Sequence, residues 1–210
     1  MEEKQIEVEF IGAISKVKFL ELKKKFEKDG VFKKRKERIS FMYFRDKIPK
    51  DLSEIKNEDT DLRLRITNKE PEIIIKKGLF TGAHSRKEIS IRFPMEEMQK
   101  YIDFLSALNW DIGVIYAVET FVYEYQGIEF SLVDIEDYGY NFEAEILTNT
   151  KDEPMARKKI EAVLGELKLK PFDKNGLDKQ CNEINNREGL RFDFSKQKIE
   201  KLRERFPKFF

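Results

Sequence analysis

The feature that most constrains the fold is an alternation of charged and apolar residues along short segments of the chain. In the stretch SRKEISIRF, residues 85–93, every second residue is polar or charged, and these residues are Arg86, Glu88, Ser90 and Arg92. The residues between them are apolar apart from Lys87. Successive side chains of a β-strand point to opposite faces, so this pattern predicts a strand with one charged and one apolar face.

Three other segments carry two like charges at positions i and i+2. The pairs are Glu7 and Glu9, Arg63 and Arg65, and Glu143 and Glu145. Lys76 follows a run of isoleucines. Arginine offers a planar fork that suits phosphate oxygens, and a bound cation would offset the repulsion between neighbouring carboxylates. A charged face turned to water is the alternative, since antiparallel sheets often have one solvated face.

The periodicities together predict an α+β fold. Predicted strands cover residues 6–12, 38–44, 61–66, 72–77, 85–93, 115–125, 129–135 and 138–147. Predicted helices cover residues 15–28, 95–110, 154–168, 176–187 and 195–205. In the first helix, the interpretation places Val17, Leu20, Leu22 and Phe26 on the buried face.

Composition excludes several kinds of site and partner. The 41 basic and 40 acidic residues give a net charge of +1, which argues against nucleic acid as a partner despite the run KKRKER at 33–38. No apolar run approaches about 18 residues, so we expect no membrane partner and a cytoplasmic location. With one cysteine and one histidine, a metal would be held by carboxylates, which favours hard cations such as Mg²⁺, Mn²⁺ or Ca²⁺.

A sheet that closed with its charged faces inward would enclose both kinds of charge. The acids would be Glu7, Glu9, Glu88, Glu143 and Glu145, and the bases Arg63, Arg65, Lys76, Arg86 and Arg92. The apolar faces would then pack against amphipathic helices. Such a tunnel suits a polyanion accompanied by a divalent cation.

Five motifs in this order resemble the CYTH superfamily, also called triphosphate tunnel metalloenzymes. They are E-x-E at 7–9, L-R-L-R at 62–65, K-K-G at 76–78, R-x-E at 86–88 and G-x-x-x-E-x-E at 139–145. The resemblance covers about residues 5–165. It predicts a tunnel domain over residues 1–165 and a helical extension packed on that domain over residues 166–210.

The resemblance implies an antiparallel β-tunnel of about eight strands with a charged interior and helices outside. It implies Mg²⁺ or Mn²⁺ as the cofactor and a triphosphate-bearing small molecule as the partner. The metal ligands would be Glu7, Glu9, Glu143 and Glu145. The catalytic residues would be Glu7, Glu9 and Glu88. The substrate-binding residues would be Arg63, Arg65, Lys76, Arg86 and Arg92.

Three positions depart from the family pattern. Ile11 stands where the family has lysine, Ser90 where it has an acid, and Val118–Thr120 where it has a basic pair. Each lost base removes a contact worth about 1.5–3 kcal/mol at a dry site. The expected function is metal-dependent hydrolysis of inorganic tripolyphosphate or of nucleoside or thiamine triphosphate. The alternatives are a degenerate tunnel that binds a nucleotide or polyphosphate, and a class IV adenylyl cyclase.

One feature leaves the state of assembly open. The aromatic ending RERFPKFF, residues 203–210, can dock on the chain's own tunnel mouth, dock on a second subunit, or fray. A homodimer is therefore one option for this protein.

Overall fold

The computed structural model describes residues 5–50, 54, 60–77, 87–173 and 175–210. The described strands are β1 Gln5–Ile14, β2 Val31–Phe44, β3 Thr60–Thr67, β4 Glu70–Lys77, β5 Lys87–Arg92, β6 Ile112–Tyr125, β7 Ile128–Ile135, β8 Gly139–Asn149 and β9 Arg191–Asp193. The described helices are α1 Lys16–Asp29, α2 Met98–Ala107, α3 Glu153–Glu166, α4 Gly176–Asn185 and α5 Ile199–Arg205. The predicted α+β class is confirmed.

The strands form one antiparallel sheet in the order β1-β8-β7-β6-β2-β3-β4-β5, and β9 pairs with β6. The prediction of about eight antiparallel strands is therefore confirmed. The chain divides into two compact units. Unit 1 comprises residues 1–36 and 118–177, and unit 2 comprises residues 37–117 and 178–210. The predicted boundary between residues 165 and 166 stays a prediction.

In unit 1 the sheet separates an apolar face from a charged face. Across β6, β7 and β8, Tyr123 lies opposite Phe130, which lies opposite Ala144. These buried residues join side chains of α1 and α3 in one core, which includes Phe26 and Ile160. The alternation of the sequence is thus realised with the apolar face against helices, as predicted.

Helix α1 buries Phe19, Leu22 and Phe26, whereas Val17 and Leu20 are exposed. The prediction that Val17 and Leu20 share the buried face is wrong. Successive helical residues turn by about 100°, so Leu20 and Leu22 lie on nearly opposite sides of the helix. The i, i+3, i+7 set that begins at Phe19 is the buried one.

The chain after α3 crosses closely over β1. The backbone N–H of Phe172 donates to the carbonyl of Ile11 at 2.7 Å. A Cβ at Gly12 would lie 2.5 Å from the carbonyl oxygen of Lys170. Only glycine therefore allows this approach, which holds residues 170–172 against the strand that carries Glu7 and Glu9.

Unit 2 builds its core on the apolar face of β2, β3 and β4. Leu62, Leu64 and Ile66 are buried, and they alternate with partly buried Arg63 and Arg65. Helix α2 adds Met98, Ile102 and Leu105 to the buried residues of this unit. None of the described helices is long and apolar enough to cross a membrane.

The C-terminal residues complete the core of unit 2. Strand β9 was not predicted; it pairs Phe192 with Gly113. Phe192 packs edge-to-face on Phe41, with ring centroids 5.7 Å apart. Phe206 and Phe209 are buried, and the ring of Phe210 lies 6.5 Å from that of Phe41. The aromatic ending therefore packs into the core of unit 2 and does not fray.

The basic run at 33–38 lies within a strand. Strand β2 begins at Val31, seven residues before the predicted start, and it contains the whole run. Lys33 forms an ion pair with Glu124 of β6 at 2.5 Å, and Arg35 pairs with Glu119. These pairs supply part of the counter-charge that the run needs, so the run acts in strand pairing.

Because Phe209 is fully buried at the end of the chain, its truncation tests whether the ending stabilises the protein. Phe209→Ala should lower the free energy of unfolding by about 3–5 kcal/mol, as buried Phe-to-Ala changes do. Denaturant titration measures this. The exposed Phe104 offers the matched control, and Phe104→Ala should change stability by less than about 0.5 kcal/mol. Equal effects would contradict the assignment.

The hydroxyl of Tyr43 is buried, and it has no hydrogen-bond partner among the described residues. Burial also raises the pKa of Tyr43. An unpaired buried hydroxyl costs about 1–3 kcal/mol, so Tyr43→Phe should leave stability unchanged or raise it. Burial and the interaction with Glu27 raise the pKa of Tyr123 to about 12, so Tyr123→Phe, which removes that interaction, should instead destabilise. A clear loss of melting temperature in Tyr43→Phe would show that the hydroxyl is paired.

Candidate functional site

Three glutamates of unit 1 form an acidic cluster on the charged face of the sheet. Glu7 and Glu9 project from β1, and Glu145 projects from β8. One carboxylate oxygen from each lies within 4.8 Å of the others. We call these three residues the acidic cluster.

Strand register brings these acids together. Glu9 of β1 lies directly opposite Glu145 of β8, and Glu145 lies directly opposite Glu129 of β7. Glu143 lies one row further along, between Ile11 and Ser131. Like charges directly opposite each other destabilise a sheet. The opposed glutamates therefore destabilise the sheet through their mutual repulsion.

The pKa values of two acids of the acidic cluster are raised. Partial burial, followed by the charges of Glu143 and Glu7, raises the pKa of Glu9 to about 7. Burial, a hydrogen bond with Glu7 and the charges of Glu7, Glu129 and Glu9 raise the pKa of Glu145 to about 8. A protonated carboxyl relieves repulsion between neighbouring acids.

The acidic cluster fits a divalent cation. Its ligand atoms are carboxylate oxygens, which hard cations such as Mg²⁺ and Mn²⁺ prefer. Burial and the neighbouring carboxylates raise the pKa values of Glu9 and Glu145. A divalent cation would neutralise the carboxylate charges, which protonation otherwise does.

On the charged face of unit 2, Arg65 and Lys76 each pair with an acid. Arg65 donates to Glu72 from Nε at 2.9 Å, and Lys76 donates to Glu88 at 2.9 Å. Both pairs are directly opposite in strand register. Arg65 also approaches Glu88 at 3.8 Å. We call Arg65, Lys76 and Glu88 the basic cluster, and Glu72 balances its remaining positive charge.

Arg63 is held apart from this cluster by Asp61. Its Nε and Nη2 atoms donate to the two oxygens of Asp61 at 2.8 and 2.6 Å. The pKa of Glu88 is lowered, chiefly by its hydrogen bond with Lys76. A phosphate ligand would therefore compete with acids already bound to these bases.

Not every predicted site residue joins a cluster. Arg92 lies near the end of β5 and pairs with Glu70 at 3.5 Å. Arg86 lies outside the described residues. Glu143 adjoins the acidic cluster and acts on it through its charge. The prediction missed Glu129, Asp61 and Glu72, because their roles depend on the residues that the folded sheet brings beside them.

Neither a protein family profile nor a curated protein matches the chain. The chain is, however, similar to solved structures. The PH1819 protein of Pyrococcus horikoshii OT3 is 22% identical, with a TM-score of 0.59, over 84% of this chain and 99% of that one. A candidate adenylate cyclase from Bacillus halodurans is 15% identical, with a TM-score of 0.54, over 81% and 94%.

A third structure comes from Hippeastrum. It is a candidate adenylyl cyclase described as revealing a dominant triphosphatase activity. It is 14% identical to this chain, with a TM-score of 0.55, and the match covers 85% of this chain and 96% of that one.

These structures share the α+β fold of this chain, an antiparallel sheet with helices packed on it. At these identities the similarity shows the fold, and that fold is consistent with the resemblance to the CYTH superfamily that the sequence motifs indicated.

The raised pKa values of Glu9 and Glu145 predict how stability depends on pH. The folded state holds these protons more tightly than the unfolded state does. The melting temperature of the metal-free protein should therefore fall as pH rises from 4.5, the ordinary glutamate value, to about 8. Glu9→Gln/Glu145→Gln should flatten this slope, because glutamine does not titrate.

Thermal unfolding across that pH range measures the effect. Glu161→Gln is the matched control, since Glu161 is exposed on α3 and should leave the slope unchanged. Parallel profiles for the wild type and the Glu9→Gln/Glu145→Gln variant would contradict the prediction.

Proposed function

We propose that the protein binds a triphosphate-bearing small molecule together with Mg²⁺ or Mn²⁺ and hydrolyses it. The observation that carries the proposal is the acidic cluster, whose three carboxylate oxygens lie within 4.8 Å of one another. Three carboxylate oxygens this close can together hold a divalent cation.

In this proposal Glu7, Glu9 and Glu145 hold the cation, and Glu143 adds negative charge beside them. A bound divalent cation supplies polarisation of a phosphoryl oxygen and lowers the pKa of a coordinated water. Glu7 and Glu9 thereby act at the reacting phosphate group.

Arg65 and Lys76 are assigned to the phosphate oxygens. Charge-assisted hydrogen bonds from such bases are stronger than neutral ones, and an arginine can bind two oxygens at once. Glu88 orients both bases through its contacts at 2.9 and 3.8 Å. We also assign three other arginines to the substrate, namely Arg63, Arg86 and Arg92. Of these, Arg63 is bound bidentately by Asp61, Arg92 pairs with Glu70, and Arg86 lies outside the described residues.

The fold similarity supports a triphosphate ligand. Proteins of this fold include ones described as candidate adenylate cyclases, and one is described as a dominant triphosphatase. Those descriptions apply to those proteins. They make tripolyphosphate, ATP and thiamine triphosphate the substrates to test first.

A second candidate is a module that binds a triphosphate without hydrolysing it. One specific observation favours it: Arg63, Arg65 and Lys76 each already have an acidic partner. Apolar Ile11, opposite Glu143, supplies no base at a position where the family has lysine. Weaker phosphate binding and loss of turnover would follow from both features.

The experiment measures phosphate release from tripolyphosphate, ATP and thiamine triphosphate with and without Mg²⁺ or Mn²⁺. The wild type should release phosphate only with the cation, and Glu9→Gln/Glu145→Gln should reduce the rate at least about 100-fold. Glu161→Gln should retain the wild-type rate. Chromatography of the ATP reaction distinguishes phosphate release from formation of cyclic AMP.

Binding of the same ligands by calorimetry separates the two candidates. Cation-dependent binding without product would favour the binding module. Neither binding nor product would overturn both. A double-mutant cycle between Glu145→Gln and Lys76→Met then measures whether the acidic and basic clusters act on the same ligand.

A further inference from the structure

Strand β5 ends the described ladder of strands, and its edge carries exposed residues. Residues 88–92 are all exposed, and Ile89 and Ile91 retain 48% and 56% of their accessible surface. Among the described strands, only β4 pairs with β5. An exposed edge with two isoleucines is a template for pairing with another strand.

The sequence of this edge is complementary to itself. Residues 88–92 read Glu-Ile-Ser-Ile-Arg. If two copies pair antiparallel about Ser90, each Ile89 lies opposite an Ile91, and each Glu88 lies opposite an Arg92. The isoleucines meet on the apolar face, and the opposite charges meet on the charged face.

Neighbouring registers lose this match. A shift of the centre to Ile89 places Lys87 opposite Ile91, and a shift to Ile91 places Arg92 opposite Ser90. A centre between Ile89 and Ser90 places Lys87 opposite Arg92, two like charges that repel. One register therefore satisfies both faces.

We propose that β5 pairs antiparallel with β5 of a second copy of this chain, about a two-fold axis at Ser90. The pairing buries Ile89 and Ile91 of both copies and satisfies the backbone groups of both edges. It also sets Arg92 of each copy opposite Glu88 of the other, beside Lys76. A two-fold interface uses the same patch on both subunits, and a self-complementary strand supplies such a patch.

The charges argue for a second copy over an unrelated partner. Acid and base sit at equal distances on either side of Ser90, so the strand matches its own reverse. A foreign strand would need a basic and an acidic residue in the same mirrored positions. The inference rests on the edge alone, and it shares Glu88 and Arg92 with the phosphate site of the proposed function.

Sedimentation analysis of designed charge variants tests the pairing. The wild type should sediment as a dimer whose fraction rises with concentration. Ile89→Lys/Ile91→Lys and Ile89→Glu/Ile91→Glu should each sediment as monomers, and their equimolar mixture should recover dimers. Val17→Lys/Leu20→Lys, on the exposed side of α1, is the matched control and should remain dimeric. Wild-type monomers at all concentrations, or dimers in both charged variants, would overturn the proposal.

A cross-link tests the register. Paired residues of antiparallel strands have Cα atoms about 4.5–5.5 Å apart, within the range of a disulfide. In a Cys181→Ala background, Ser90→Cys should form a covalent dimer on mild oxidation, whereas Ala107→Cys, exposed on α2, should not. Dimers by sedimentation without cross-linking at position 90 would overturn this register.

Discussion

Repulsion between carboxylates across neighbouring strands is the interaction around which the candidate site is organised. The register of β1, β8 and β7 sets Glu9, Glu145 and Glu129 in one row. The same register sets apolar side chains against α1 and α3 on the other face, so a one-residue slip would bury the acids and expose the core. The core therefore holds the acids together, and neither feature can change without the other.

The two charged faces differ in how acids and bases are paired across neighbouring strands. Unit 2 sets acid opposite base, as in Arg65 with Glu72 and Lys76 with Glu88, and its charges are largely balanced. Unit 1 sets acid opposite acid, and it is left with carboxyls of raised pKa. Balanced pairs hold side chains in place, whereas unbalanced charge attracts a ligand of the opposite sign. This contrast is the physical reason to look for a cation in unit 1.

Local pattern was enough to predict most of the strands, the separation of their faces and the acids of the cluster. Alternation is a property of single segments, so Glu7, Glu9 and Glu145 could be chosen without knowledge of the pairing. Glu129 could not, because its role depends on β7 lying beside β8. Asp61 and Glu72 matter only as partners of arginines on the same sheet. Strand β9 is three residues long and owes its existence to β6, so no periodicity marks it.

The division of the chain into two units has a consequence for synthesis. Each unit is assembled from two separate stretches, with residues 37–117 of unit 2 lying between the parts of unit 1. During synthesis, the first β-strands of both units therefore leave the ribosome before the core of either unit can form. Unit 1 becomes complete once residue 177 has emerged, and unit 2 waits for the segment that carries Phe192, Phe206 and Phe209. Until then, the apolar face of β2, β3 and β4 needs protection from other unfinished chains.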